Sequence, residues 1–495
     1  MSTRRLWLFL AVALPVLAAL AADLPTVDLA YHLRAGEAIL RTGAIPAVDT
    51  YTFTAAGDRW LDQNWGAQVI LALVFRIAGW TGLAILRAAL VGVAFASILV
   101  ACRRLGVGDR TAALLTLGAF AVASFTLALR PQLFGIAIFA VILLLTTYRR
   151  DRPRLLWLAV PLIALWANIH GSFVLGIGLL GLVWLADLRE PVRGASRHLP
   201  LAVALVSVVA ATLNPAGLEL WRYAVGIATS STITSRITEW QPPDLRSGQG
   251  LVFYGSALVV AAILARRSRP TPWPALAMLA AFFLFAVLAV RGLAWWPLVA
   301  AVTLATLLAR TSSVSLTGHP AAASQDGPIG DNAKPLARSE PRMFLRANLL
   351  IAAVLVLVGI GLLPVWRPLD PGLGTPVGLV GIAPPGITAK LRELATAGDR
   401  LFAPQPWGSW FEYAIPSTPV FVDSRIELFP PSVWDEYDAV VDGIDGWRDI
   451  LARRDVTMIV AVEGIGRSPL AARLRSDSGW QEAYKDEDGS IFVRR

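Results

Sequence analysis

Long apolar runs separated by short polar segments dominate the first three quarters of the chain. A helix needs about 20 apolar residues to cross a hydrocarbon core of roughly 30 Å. Eleven runs approach this length and predict membrane-spanning helices near residues 6–22, 80–101, 111–128, 133–148, 155–167, 172–187, 199–213, 251–265, 274–290, 294–309 and 347–365. The pattern predicts an α-helical polytopic membrane protein with a long first loop, residues 23–79.

After residue 366 the pattern changes to short β-rich runs that alternate with helical ones, which predicts a small α/β soluble domain over residues 366–495. Between the bundle and the last span, residues 311–346 are rich in Ser, Ala, Pro and Gly and predict a flexible loop. The predicted strands are 400–404, 419–423, 456–462 and 490–494, and the predicted helices are 386–397, 432–442, 446–454 and 468–478.

Composition agrees with this division. The chain is 56% hydrophobic and 16% charged, and 46 of its 79 charged residues lie in residues 1–365 against 33 in the shorter remainder. The net charge is +14 in the first part and −5 in the second. No basic stripe interleaved with aromatic residues is present, so a nucleic-acid partner is excluded. The single cysteine, Cys102, excludes an intrachain disulfide and a cysteine-based zinc site.

The positions of the arginines predict an orientation, because Lys and Arg in short loops stay on the cytoplasmic side. They cluster at alternate ends of successive spans, as a cytoplasmic N-terminus requires. The C-terminal domain and the first loop then lie on the outer side of the membrane, and residues 311–346 lie in the cytoplasm. The clusters are Arg4/Arg5, Arg103/Arg104, Arg149/Arg150/Arg152/Arg154, Arg189/Arg193/Arg197, Arg266/Arg267/Arg269 and Arg310.

The first loop opens with a helical pattern from Leu29 to Leu40, which Asp28 is placed to cap and Gly43 to end. A carboxylate held just above the membrane could take a proton from an incoming hydroxyl or bind a divalent cation beside a phosphate. The alternative is that Asp28 serves only as the helix cap. The two roles are compatible.

Further along this loop, a carboxylate and two amides, Asp62, Gln63 and Asn64, lie between Trp60 and Trp65. Carboxylate and amide groups beside indole faces suit the binding of a sugar or help to hold a cation. Trp residues at this depth also anchor a protein at the membrane interface, and that is the alternative interpretation.

Several polar residues lie where other spans meet the outer side. Arg130 and Arg291 carry guanidinium groups, whose forked donors match phosphate oxygens, although each could instead reach lipid headgroups. His170 lies beside Asn168 in a polar turn, so the two are candidates for substrate binding, with hydrogen-bonded packing as the alternative.

The C-terminal domain has a candidate of its own, because Asp423 and Arg425 follow a predicted strand at its carboxyl end, where α/β sheets commonly bind ligands. A local acid–arginine pair at a strand end is the alternative. Neither a glycine-rich dinucleotide motif nor a phosphate-binding Walker motif is present, which argues against a nucleotide site.

These residues together resemble the polytopic GT-C glycosyltransferases, which include protein O-mannosyltransferases, aminoarabinose transferases and oligosaccharyltransferases. The resemblance rests on an acidic residue directly after the first span, on about eleven spans followed by a soluble domain, and on three short patterns. These are Asp28…Tyr31-His32-Leu33…Gly36-Glu37…Gly43…Pro46…Asp49, the turn Trp166 to Gly171, and the segment Trp407 to Arg425.

The resemblance implies transfer of a sugar from a polyprenyl-phosphate carrier to an envelope acceptor on the outer face. Asp28 matches the acidic residue of the first loop, and His32 and Glu37 in the same pattern are assigned to substrate binding. Many members carry an Asp-Glu pair where this chain has Asp28 followed by Leu29, and the Trp-Trp-Asp motif of oligosaccharyltransferases is not matched at Trp407. Single-sugar transfer is therefore the prediction.

We accordingly predict an inverting transferase with Asp28 as general base and Asp62 or Asp49 as a second carboxylate. Asp28 and Asp62 would hold a divalent cation, Mg or Mn, if one is used, while Arg130 and Arg291 hold the lipid phosphate. The rival is a non-enzymatic transporter of lipids or solutes, or an envelope assembly scaffold. Transporters usually show inverted repeats, and no clear repeat is visible here, which favours the enzyme.

Overall fold

The computed structural model describes residues 1–189, 196–229, 234, 236–312, 342–462 and 469–495. Most of the predicted flexible loop, residues 313–341, lies outside the described residues. In the N-terminal part the described helices are α1 (Thr3–Ala21), α2 (Thr26–Thr42), α3 (Trp65–Arg104), α4 (Asp109–Ala123), α5 (Pro131–Tyr148), α6 (Ala159–Ala167), α7 (Val174–Arg189), α8 (Leu199–Ala210), α9 (Glu219–Thr229), α10 (Gly248–Ala265), α11 (Trp273–Leu288), α12 (Trp296–Ser312) and α13 (Arg342–Gly361).

Each of the eleven predicted apolar runs coincides with a helix. Six helical segments are long and apolar enough to cross a membrane, whereas the helices in the other runs are shorter. The number of spans and the side on which each terminus lies stay predictions. The six segments are Thr3–Ala21, Trp65–Arg104, Pro131–Tyr148, Gly171–Arg189, Gly248–Ala265 and Met343–Gly361.

Helix α2 corrects the predicted role of Asp28. The helix begins at Thr26 after Pro25, whose side chain can make no capping hydrogen bond, so Asp28 lies in the first turn and is not the N-cap. Gly43 ends the helix as predicted, with a φ of 71° that glycine adopts without strain. The Asp28 carboxylate is therefore not occupied by helix capping.

Helix α3 starts at Trp65, fifteen residues before the predicted span. Its 40 residues contain a kink at Gly79, where the φ of 55° and ψ of −148° are not helical. The half before Gly79 packs on α2, within the segment predicted as loop. Arg87, from the second half, donates to the backbone carbonyls of Ala19 and Ala22 at the end of α1. These hydrogen bonds hold the end of α1 in place just before α2 begins.

The C-terminal part forms a four-stranded mixed sheet. In spatial order its strands are β3 (Leu401–Phe402), β4 (Met458–Ala461), β6 (Ser490–Arg494) and β5 (Trp480–Lys485). Strands β3 and β4 are parallel, and β6 is antiparallel to both of its neighbours. The elements are β1 (Leu24–Pro25), β2 (Val380–Gly381), β3 (Leu401–Phe402), β4 (Met458–Ala461), β5 (Trp480–Lys485), β6 (Ser490–Arg494), α14 (Pro385–Leu394), α15 (Gln405–Ala414), α16 (Pro431–Val441), α17 (Trp447–Arg453) and α18 (Leu470–Arg475).

The predicted strand at 419–423 is wrong, and β5 was not predicted. Only Val420 of that segment forms bridges, to Leu401 and to Thr52 of the first loop. Strand β5 escaped prediction because three of its six residues are exposed and only Trp480 is buried, so that it carries no apolar alternation.

The first loop packs into the C-terminal part instead of standing apart from it. Strand β1, which directly follows α1, pairs in parallel with β2, and Ala55 belongs to the hydrophobic core beneath the sheet. The Ser424 hydroxyl donates to the Val27 carbonyl at 2.7 Å. These contacts bring the start of α2 between the helical bundle and the C-terminal part.

Candidate active site

A cavity of about 290 Å³ lies where the start of α2, the outer ends of the bundle helices and the C-terminal part meet. Its walls come from the start of α2, from five segments of the first loop and the bundle (residues 63–64, 130–132, 170, 236–240 and 291), and from Gln405, Ser424, Ile426 and Glu427 of the C-terminal part. Its chemically active lining residues are Asp28, His32, Gln63, Asn64, Arg130, His170, Arg236, Glu239, Arg291 and Glu427.

Two arginines and two carboxylates form a network across this cavity, as predicted for Asp28, Arg130 and Arg291. Arg130 Nη1 lies 3.3 Å from Asp28 Oδ2, and its Nη2 lies 2.5 Å from Glu239 Oε1. Arg291 Nε donates to the second oxygen of Glu239 at 3.2 Å. One carboxylate thus bridges two guanidinium groups beside Asp28.

Local structure explains these positions. Arg130 precedes Pro131, the first residue of α5, and a residue before proline is held in an extended conformation, here at φ −152° and ψ 170°. Arg291 lies in a 3₁₀ turn whose Val290 N–H donates to the Gln241 carbonyl at 2.9 Å. This hydrogen bond ties the turn of Arg291 to the turn of Glu239.

The electrostatic balance of the network follows from burial and pairing. Burial by itself would raise the pKa of Glu239. The charges of Arg130 and Arg291 and their hydrogen bonds to Glu239 outweigh this effect, so the pKa of Glu239 is lowered. Burial lowers the pKa of Arg291 despite the charge of Glu239. Its guanidinium also lies 4.6 Å above the ring of Trp240. Both arginines are therefore well placed to meet an anion.

His170 faces the same cavity in its neutral form. Its Nδ1 accepts the backbone N–H of Ser172 at 3.1 Å, which leaves the proton on Nε2. Burial, followed by the charges of Arg291 and Arg130, lowers the pKa of His170 to about 3. The ring is thus a hydrogen-bond donor at neutral pH and not a proton acceptor.

His32, Gln63 and Asn64, the three residues assigned above to substrate binding, also line the cavity. Burial lowers the pKa of His32 well below its ordinary value, so this ring is neutral as well. In the described part of the chain, Gln63 Oε1 and Asn64 Oδ1 are buried without a hydrogen-bond partner. A hydroxylated ligand would supply the missing donors.

Asp62 lies behind this wall and does not line the cavity. Its Oδ1 accepts from Gln68 Nε2 at 2.8 Å, and Gln68 Nε2 lies 3.3 Å from His32 Nδ1. Burial raises the pKa of Asp62 to about 7. Its position supports the wall and gives it no direct access to a ligand.

Two further predicted residues lie elsewhere. Glu37 forms an ion pair with Arg76 on an exposed face of α2, with oxygen–nitrogen distances of 2.8 and 2.6 Å. Asn168 accepts the Trp65 indole N–H at 3.1 Å, and its amide donates to two backbone carbonyls, those of Ala164 and Leu213. Asn168 therefore positions the start of α3 and not a substrate.

Asp49, Asp423 and Arg425 meet each other but do not reach the cavity. Arg425 donates to Asp49 Oδ1 at 2.7 Å and to Asp423 Oδ2 at 2.9 Å, and none of the three is more than 1% exposed. Trp60 and Tyr51 lie 4.5 and 4.9 Å from the guanidinium carbon. The structure makes this cluster a buried link between the first loop and the C-terminal part.

Sequence reasoning did not identify Glu239, Arg236 or Glu427 as site residues. Glu239 and Arg236 belong to the 214–250 loop, and Arg236 pairs there with Asp438 of α16 at 3.2 Å. The only signal in the sequence was that Arg130 and Arg291, both predicted on the outer side, have no acidic residue close to them in the sequence that could pair with them. No motif gives the loop a chemical role.

The fold agrees with that of solved membrane glycosyltransferases. AglB, an archaeal oligosaccharyltransferase from Archaeoglobus fulgidus solved with an inhibitory peptide and a dolichol-phosphate, matches with a TM-score of 0.56, over 92% of this chain and 68% of that chain, at 12% identity. ArnT from Cupriavidus metallidurans bound to undecaprenyl phosphate matches with a TM-score of 0.51, over 100% of this chain and 98% of that chain, at 15% identity. Both are GT-C glycosyltransferases.

The protein has the GT-C fold. At such low identity the likeness establishes the fold and leaves the reaction to be argued from the site. Searches of the sequence against protein-family models and against curated proteins give no match. Within the GT-C fold, the cavity described above lies between the first-loop helix α2 and the C-terminal part.

Proposed function

We propose that this protein is a membrane glycosyltransferase that moves a single sugar from a polyprenyl-phosphate carrier to an acceptor outside the inner membrane. The observation that supports the proposal is the cavity in which Arg130 and Arg291 both form ion pairs with Glu239, while Arg130 also contacts Asp28. The N-terminus would lie in the cytoplasm and the C-terminal part outside, as the arginine distribution predicts.

Arg130 and Arg291 are the groups that would receive the carrier phosphate. Guanidinium groups bind phosphate through parallel, charge-assisted hydrogen bonds, and both are only 20–26% exposed, where such bonds are strong. AglB and ArnT were solved with dolichol-phosphate and undecaprenyl phosphate. In this proposal the phosphate replaces Glu239 as the anion between the two arginines.

Asp28 would act as the general base. The acceptor oxygen attacks the anomeric carbon, a new C–O bond forms, and the bond from that carbon to the phosphate oxygen breaks. The electron pair leaves with the polyprenyl phosphate, whose growing negative charge Arg130 and Arg291 stabilise, and the acceptor proton passes to Asp28. A single displacement of this kind inverts the anomeric centre.

A divalent cation held by Asp28 and Asp62 stays a prediction that the site fits poorly. Asp62 does not line the cavity, and the described residues contain no group of three or more His, Cys, Asp or Glu side chains able to hold a metal ion. Beside Asp28 the unpartnered oxygens belong to the amides of Gln63 and Asn64, which are neutral ligands. We therefore derive no step through a metal.

The rival interpretation as a transporter is less well supported. Another cavity of about 210 Å³ lies at the opposite ends of α5, α7 and α12, and it shares no lining residue with the candidate site. These two cavities therefore lie apart from each other, at the two ends of the bundle. A transport path would connect them.

The Asp28→Asn variant tests the proposal directly. The assay incubates membranes containing the protein with a panel of undecaprenyl-phosphate-linked monosaccharides and measures the undecaprenyl phosphate released. We expect a loss of about 100-fold or more, because the base is removed, with the melting temperature retained. Asp58→Asn changes an exposed carboxylate of the same loop and should retain activity. Full activity of Asp28→Asn would refute the assignment.

A further inference from the structure

Another hollow lies beside the cavity of the candidate site, which we call the central cavity. This second hollow shares one lining residue with the central cavity. Its volume is about 360 Å³, and Glu427 lines both this hollow and the central cavity. The other residues that give the hollow its character are Arg59, Trp60, Glu219, Arg222 and Tyr223.

Glu427 is placed as a group that faces a ligand. It lies in a 3₁₀ turn, Ile426–Leu428, that the C-terminal part extends toward the bundle, and its Oε1 accepts the Tyr223 hydroxyl at 3.0 Å. Protein surrounds the side chain, yet it keeps free surface, because that surface faces the two hollows. Burial raises the pKa of Glu427, although the hydrogen bond from Tyr223 opposes this effect.

The chemistry of the second hollow differs from that of the central cavity. Its Arg59 and Glu219 already pair with each other at 2.5 Å, so their charges are balanced. The remaining lining offers the guanidinium of Arg222, the phenol of Tyr223, the carboxyl of Glu427 and the indole of Trp60. Such a mixture of hydrogen-bonding and aromatic groups suits a hydroxylated ring better than a phosphate.

We propose that the second hollow binds the acceptor, that this acceptor is a saccharide, and that Glu427 positions its reacting hydroxyl where the two hollows meet. This inference rests on the proposed function. It assigns the phosphate to the central cavity and the acceptor to the hollow between the first loop and α9. Glu427 is a positioning residue, since the proton still passes to Asp28.

The experiment places a photoreactive side chain in each hollow of the full-length protein in native membranes. Arg222→p-benzoylphenylalanine reports on the second hollow, at an exposed residue of α9. Ile237→p-benzoylphenylalanine reports on the central cavity. After irradiation, mass spectrometry identifies the adducts. We expect a saccharide-bearing adduct at position 222 and a polyprenyl phosphate at position 237.

The two positions separate the two proposals. Polyprenyl phosphate at 237 together with only phospholipid, or nothing, at 222 would overturn the acceptor hollow and leave the proposed function standing. Absence of polyprenyl phosphate at 237 would instead count against the proposed function. A saccharide adduct at 222 supports the hollow in either case.

A second measurement tests Glu427 itself in the background of the 222 probe. Glu427→Ala removes the hydrogen bond and should lower the yield of the saccharide adduct about fivefold, whereas Glu427→Gln keeps a polar group there and should restore most of it. The melting temperatures of the purified variants should stay within a few degrees of the parent value, which separates loss of the hydrogen bond from loss of folding. An unchanged adduct yield in Glu427→Ala would remove Glu427 from the acceptor site.

Discussion

Two arginine–carboxylate clusters lie close together in this protein and differ in one respect. The cavity cluster, Asp28, Arg130, Glu239 and Arg291, faces open space, and its side chains are 20–31% exposed. The buried cluster, Asp49, Glu412, Asp423 and Arg425, is at most 1% exposed. Similar residues thus serve a candidate reaction in one place and hold two parts of the chain together in the other.

The comparison shows that open space, and not residue type, separates the two roles. In the buried cluster every guanidinium contact is with the protein itself. Burial, together with the nearby charge of Asp423, raises the pKa of Glu412 well above its ordinary value. Arg425 pairs with the carboxylates of Asp49 and Asp423 inside the protein. In the cavity cluster an incoming anion can replace Glu239.

The largest effect is expected in the buried cluster. Arg425→Met leaves Asp49 and Asp423 buried without a compensating charge, which typically costs about 3–5 kcal/mol of stability. We expect a lower melting temperature and a lower yield of folded protein in detergent. Arg246→Met, at an exposed position, is the control. A variant as stable as the parent would show that the cluster does not hold the two parts together.

The same kind of change in the cavity cluster should affect ligand binding and not folding. Arg291→Gln removes a guanidinium that we assign to the phosphate, and we expect undecaprenyl phosphate to bind about 10- to 100-fold more weakly. The melting temperature should stay within a few degrees of the parent value. Arg41→Gln, on an exposed face of α2, should bind normally. Equal affinity in both variants would contradict the assignment of Arg291.

Glu239→Gln sharpens the contrast further, because it removes the anion that the phosphate must replace. We expect undecaprenyl phosphate to bind about fivefold more tightly, since the competing carboxylate is gone. Titration of the variant in nanodiscs at low and high salt measures this change. Weaker binding at both salt concentrations would mean that Glu239 supports the site instead of competing with the phosphate.

The smallest effect concerns Asp62, which lies behind the cavity wall. Burial raises its pKa from an ordinary value of about 4 to about 7. Between these values the folded protein holds a proton that the unfolded chain has lost, so stability falls as the pH rises through this range. Asp62→Asn should therefore raise the melting temperature at pH 8 by about 2–4 °C more than at pH 5. An equal change at both pH values would contradict the raised pKa.

Part of the site could be read from the sequence because membrane insertion constrains the chain strongly. Apolar runs predicted the helices, and the helix ends placed Arg130, His170 and Arg291 on one side of the bundle with the first loop. The contact between Asp28 and Arg130 confirms that grouping. Asp49, predicted as a possible second carboxylate, and Arg425, predicted from its place at a strand end, are absent from the cavity.

The sequence alone determined the helical bundle, the change to an α/β pattern after residue 366, and part of the set of polar residues at one end. Only the tertiary structure showed that α3 begins at Trp65, within the predicted first loop, and that Glu239 contacts both arginines of the cavity. It also showed that Arg425 is buried outside the cavity. The physical reason is that periodicity and length report the burial of a segment against lipid or core. Whether an arginine and two acids line a cavity or are buried in the protein interior depends on contacts between residues hundreds of positions apart, such as Asp49 and Arg425.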